Sequence, residues 1–104
     1  MEKKDLSVMS VEEVGNYIAG LPRRELKAFS KDLTVAELHK SILGMIHSFD
    51  YEAKKFQEKK NQSAGMRSRK ITADLQSFFL EWRKKSILMT KETSKEPVQE
   101  APKQ

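Results

Sequence analysis

Two series of apolar residues, each stepping by three and four, bracket a short polar stretch near the middle of the chain. The first runs through positions 35, 38, 42, 45, 49, 53 and 56, the second through 64, 71, 75, 78, 82 and 89, with small Ser68 filling one slot. That spacing keeps side chains on one face of an α-helix. Between the series lie Asn61, Gln62, Ser63 and Gly65, residues that favour caps and turns over helix interiors. The pattern predicts two long helices, over 35–60 and 63–90. Joined by so short a link, they are expected to fold back antiparallel and bury their stripes together. Leu38, Ile42, Met45 and Phe49 are the expected core of the first arm, and Phe78 and Trp82 that of the second.

Upstream, Ser10-Val11-Glu12-Glu13 reads as a capping box, with Val11, Val14 and Ile18 on one face after it. A short helix over 11–19 follows, and Gly20 suits its end. Pro22 suits the first turn of a second helix over 22–32, with Leu26, Phe29 and Leu33 facing inward. Arg23 and Arg24 occupy the first turn of that helix, the unfavourable end for cations. Thr34-Val35-Ala36-Glu37 is a second capping box. The expected fold is therefore all-α: two short N-terminal helices, a long antiparallel helical hairpin and a disordered C-terminal tail. Residues 1–9 show no periodicity and are expected to be flexible. Residues 10–91 form one helical domain, with the short helices in 10–33 and the hairpin in 34–91. Residues 92–104, rich in Lys, Glu, Thr, Ser, Pro and Gln, read as the disordered tail.

The second arm carries an oddity. Leu80 and Ile87 project from almost the opposite side to the Ile71–Leu75–Phe78 stripe, with Phe79 between them. One partner helix cannot cover all of these. Either the short helices pack on this second face, or Phe79, Leu80 and Ile87 meet a protein partner or a second copy of the chain.

Charge is distributed as unevenly as the apolar residues. Residues 1–50 carry seven Lys/Arg against eight Asp/Glu, residues 51–91 eleven against four, and residues 92–104 two against three. The net +5 of the 104-residue chain thus belongs to the hairpin. Its tip holds Lys54, Lys55, Lys59, Lys60, Arg67, Arg69 and Lys70, with Glu58 alone opposing them between 54 and 70. Such a concentration repels itself unless an anion neutralises it. Arg83 and Lys84, further along, project away from the apolar stripe. These nine residues are the candidate nucleic-acid contacts. Tyr51, beside Lys54 and Lys55, is a candidate for stacking on a base.

The residues Asn61-x-Ser-Ala-Gly-x-Arg-x-Arg-Lys, then Leu75, then Trp82-Arg83-Lys84-x-Ser86, resemble the bacterial linker-histone-like proteins of the chlamydial type. That family shows a comparable small-residue corner, an Arg-x-Arg-Lys cluster and a Phe-Arg-Lys-x-Ser ending. The likeness covers about residues 50–90. It implies DNA binding with little sequence preference, carried by position by Arg67, Arg69, Lys70, Arg83 and Lys84. Two features depart from the family. Its longer members have a Lys/Ala-rich tail, whereas this tail is mildly acidic, and residues 1–50 have no counterpart there.

Other chemistry finds little support. The chain has no cysteine, so neither a disulfide framework nor a thiolate metal site is available. His39 and His47 are not in a metalloprotease pattern. Phosphate loops, nucleophile elbows and convergent carboxylate pairs are missing. No apolar run approaches the roughly 20 residues that span a bilayer, and Met1–Asp5 leads into no signal-peptide core. The expectation is a non-enzymatic cytoplasmic protein of the nucleoid, without cofactor, metal or membrane attachment. It would bind DNA, with RNA as an alternative polyanion, largely without sequence preference and by neutralising phosphates. The competing reading is a helical protein–protein adaptor in a transcription or replication assembly.

Overall fold

The computed structural model describes residues 5–92. These form a 3₁₀ turn at Leu6–Val8 and four α-helices: α1 (Val11–Ala19), α2 (Arg23–Lys31), α3 (Val35–Lys59) and α4 (Gln62–Glu92). The tail expected at 92–104 falls outside the described residues apart from Glu92, which ends α4.

The helix starts are set by side chains. Ser10 Oγ accepts from the Glu13 amide, and Glu13 accepts from the Ser10 amide. Thr34 and Glu37 do the same at the start of α3. Each reciprocal pair satisfies two donors that a helix start leaves without an internal partner. Pro22 stands one residue outside α2 as its N-cap, in an extended conformation.

Antiparallel pairing of α3 and α4 makes the body of the molecule. Leu38, Ile42 and Met45 of α3 meet Ile71, Leu75 and Phe78 of α4 in the core, and Phe78 is fully buried. By the rise of an α-helix, 25 residues of α3 span about 38 Å and 31 of α4 about 46 Å. The end of α4 therefore runs past the start of α3. One expectation is corrected: Trp82 is 38% exposed rather than core, because at its level the buried side of α4 has turned toward Glu81, with Lys85 a turn further on still reaching the Leu33 carbonyl. Phe49, also expected in the core, is only partly buried against it.

The two short helices pack on different arms. Gly15 of α1 and Gly44 of α3 lie backbone to backbone, with Val14 and Ile18 in the core beside them. A methyl built on Gly15 would fall 2.3 Å from the Gly44 carbonyl oxygen. The α2 helix lies instead along α4, with Leu26 and Ser30 buried. Lys85 of α4 fixes its end by donating to the Lys31 carbonyl at 2.6 Å and to that of Leu33. A lysine amine suits this place, where helix carbonyls lack partners and the helix dipole is negative. Neither short helix covers the odd face of α4, and Phe79, Leu80 and Ile87 remain about half exposed.

Residues 5–9 depart from the expectation of a flexible N-terminus. Leu6 is fully buried, and Lys40 donates to its carbonyl at 2.9 Å. Asp5 caps the turn, accepting from the amide and the hydroxyl of Ser7. Those bonds hold its carboxyl below the usual value. A single anchoring leucine has no period, so the spacing of apolar residues cannot show it.

Candidate nucleic-acid interface

The corner between the arms is tighter than the polar stretch suggests. It comprises Lys60 and Asn61 alone. Lys60 adopts the left-handed conformation, φ 53 and ψ 35, and is the one non-glycine residue with positive φ among those described. Asn61 then caps α4, its side-chain oxygen accepting from the Ala64 amide at 3.0 Å. Gly65 is already helical and sits beneath the Phe56 ring, whose nearest atom would lie 2.7 Å from an added methyl. The corner thus exposes Lys59 and Lys60 while the apolar seam closes behind them.

Continuing α4 through residues 67–70 splits the Arg-x-Arg-Lys cluster between two sides of the helix. Arg67 and Lys70 turn into a cleft of about 360 Å³ between α1, α3 and α4, floored by Ile18, Met45 and Ile71. There Arg67 Nε lies 3.1 Å from a Glu52 oxygen. The Lys70 amine donates to Asp74 at 2.8 Å. Asp74 is 5% exposed and also stands 3.8 Å from Arg23 of α2. Arg69 points the other way and is exposed.

Eight of the nine expected contacts fall into three groups. Lys59, Lys60, Arg69 and Arg83 are exposed and make no ion pair among the described residues. Lys54, Arg67 and Lys84 are held by Asp50, Glu52 and Glu81 at 3.2, 3.1 and 3.7 Å; the first pair is exposed, whereas Glu52 and Glu81 are largely buried. Lys70 supports a buried carboxylate. Lys55 belongs with none of these: its amine lies 5.2 Å from the centre of the exposed Tyr51 ring, in a cation–π arrangement. The tip is less bare than a count over 54–70 implies. Its counter-charges come from Asp50, Glu52 and Asp74, just outside that window, with Glu52 reaching Arg67 across the α3–α4 seam.

Among the described residues, no three His, Cys, Asp or Glu side chains are grouped to hold a metal. No helix is long and apolar enough to cross a membrane.

Fold and surface together define a class: a helical hairpin with exposed cations, at its corner and along its outer arm, that make no ion pair among the described residues. The family described as Histone H1-like protein Hc1 matches residues 36–92, more than half of the chain, and the chain belongs to it. The matched segment is the hairpin itself, from the first turn of α3 to the last residue of α4. No curated protein and no solved structure matches. The histone-like resemblance of residues 50–90 thus extends over the whole hairpin, and it leaves α1 and α2 outside.

Proposed function

We propose that this protein binds duplex DNA with little sequence preference, as a nucleoid-associated protein and not as an enzyme. Lys59, Lys60, Arg69 and Arg83 make the first contacts. The observation that carries this reading is that these four cations stand exposed and unpaired on the hairpin of a histone H1-like chain. Cations with no carboxylate to give up gain most from a phosphate, and the counterions released from DNA supply the affinity. Lys54 joins at small cost, since its pair with Asp50 is exposed and exposed ion pairs are worth only about 0–1 kcal/mol. Lys55 and Tyr51 flank the same corner. Phosphate contacts position a protein and carry no base information, so affinity should be similar across sequences.

A salt titration on short duplexes of unrelated sequence tests this. Binding should weaken steeply and alike for all of them. Replacing Lys59→Gln, Lys60→Asn, Arg69→Gln and Arg83→Gln together should lower the log–log salt slope by about 3–4, at about 0.9 per contact. An unchanged slope in a folded variant would remove these residues from the interface.

A second reading, the adaptor, draws on one observation. The end of α4 exposes Phe79, Leu80, Trp82, Ile87, Leu88 and Met89, more clustered apolar surface than single scattered residues explain. Sedimentation over a range of concentrations would distinguish a second copy at this face from a different protein.

A further inference from the structure

The α2 helix lies outside the family match, yet its charges are sorted as sharply as those of the hairpin. By helical periodicity Arg23, Arg24, Lys27 and Lys31 fall on one side of α2, and Glu25 and Asp32 on the other. All four cations are exposed. Arg24, Lys27 and Lys31, spaced by three and four, make no ion pair among the described residues. Arg23 reaches only the buried Asp74, at 3.8 Å.

This basic side does not face empty solvent alone. Arg23 and Lys27 form one wall of a groove of about 190 Å³, and Gln76 and Ser77 of α4 form the other. Asp74 lies in its floor, already matched by Lys70 and Arg23. The groove therefore offers cations and neutral amide and hydroxyl donors, and its one carboxylate, Asp74, is already paired. That is the chemistry of a phosphate–sugar backbone contact.

Placement adds a second argument. Arg23 and Arg24 sit in the first turn of α2, where the helix dipole disfavours positive charge. Arg24 makes no ion pair among the described residues, so its charge works against the helix that carries it. A phosphate placed at this end would relieve that cost.

We infer that the α2–α4 groove, rimmed by Arg23 and Lys27 and continued along α2 by Arg24 and Lys31, is a second phosphate-backbone contact surface for duplex DNA. It is separate from the hairpin corner. The inference rests on the DNA-binding reading above and deepens it, because it assigns contacts to a helix that the family match does not reach.

The test is Arg24→Gln, Lys27→Gln and Lys31→Gln together in the full chain, compared with the intact protein and with the corner variant described above. Because the three side chains are exposed, the melting temperature should stay the same or rise. On a short fluorescent duplex the salt slope should fall by about 2.7, at about 0.9 per contact. As a local readout, acetylation of Lys27 and Lys31 by an N-hydroxysuccinimide ester, followed by mass spectrometry, should slow several-fold when DNA is bound. If the intact protein shows no steep salt dependence, the DNA-binding reading fails and this inference with it. If the corner variant lowers the slope while the α2 variant leaves it unchanged, and Lys27 and Lys31 acetylate equally fast with and without DNA, the inference alone is overturned.

Discussion

Lys60 carries a conformational penalty at the point where the chain turns. A side chain in the left-handed region costs roughly 1–2 kcal/mol, and glycine is the usual residue there. Lys60→Gly should therefore stabilise the fold by about 0.5–1 kcal/mol, part of the gain being offset by the greater freedom of glycine in the unfolded chain. The same change removes a cation from the corner, so DNA affinity should fall as the denaturation midpoint rises. Lys70 and Arg69 make a contrasting pair. Lys70→Gln weakens the compensation of a carboxylate that is 5% exposed and leaves it Arg23 at 3.8 Å. Denaturant unfolding should show a loss of about 1–3 kcal/mol. Arg69→Gln should leave stability within about 0.5 kcal/mol, as for surface positions generally. Adjacent members of one basic motif thus answer to different forces, one to folding and one to binding. Helical geometry dictates the division, because neighbours along the chain point to different sides.

At the scale of the elements, the helices were legible and their partners less so. Capping boxes at Ser10 and Thr34 marked two starts correctly, and the three-four spacing placed both arms within two residues of their observed ends. The antiparallel core of Leu38, Ile42 and Met45 against Phe78 followed from the same spacing. Ion pairs across helices did not: Arg67 with Glu52, and Arg23 with Asp74, depend on register between elements far apart in sequence. Trp82 was misplaced because the buried side of α4 shifts to Glu81 at its level, a drift the stripe spacing does not show. The fold of the nine candidate contacts was readable as a basic corner, while their pairing was not. The Gly15–Gly44 contact was not legible either. One glycine inside a helix signals a close approach without naming the partner. Gly44→Ala would gain helix propensity, yet its methyl would meet the Gly15 amide nitrogen at 2.7 Å and the Val11 carbonyl oxygen at 2.8 Å. Both are backbone atoms and cannot swing aside. Thermal unfolding should show a net loss of about 1–3 kcal/mol, the usual cost of overpacking.

For the molecule as a whole, α1 is fastened to one arm of the hairpin and α2 to the other. Between them run only Gly20, Leu21 and Pro22. A three-residue connection reaches at most about 11 Å when fully extended. The N-terminal pair therefore acts as a buckle across the two arms. The arms cannot splay while α1 grips Gly44 and α2 is held by Lys85, because the connection is too short to follow. Amide hydrogen exchange should reflect this, with the facing amides of α3 and α4 opening together at one common free energy and not fraying independently from the corner. Lengthening the connection with a flexible insertion after Gly20 should uncouple them, so that the corner ends of both arms exchange faster while their opposite ends do not. A hairpin that cannot spread presents its corner and its outer arm to a polyanion at a fixed separation. Such a protein would then yield little to the shape of the duplex, and the duplex would be the partner that bends.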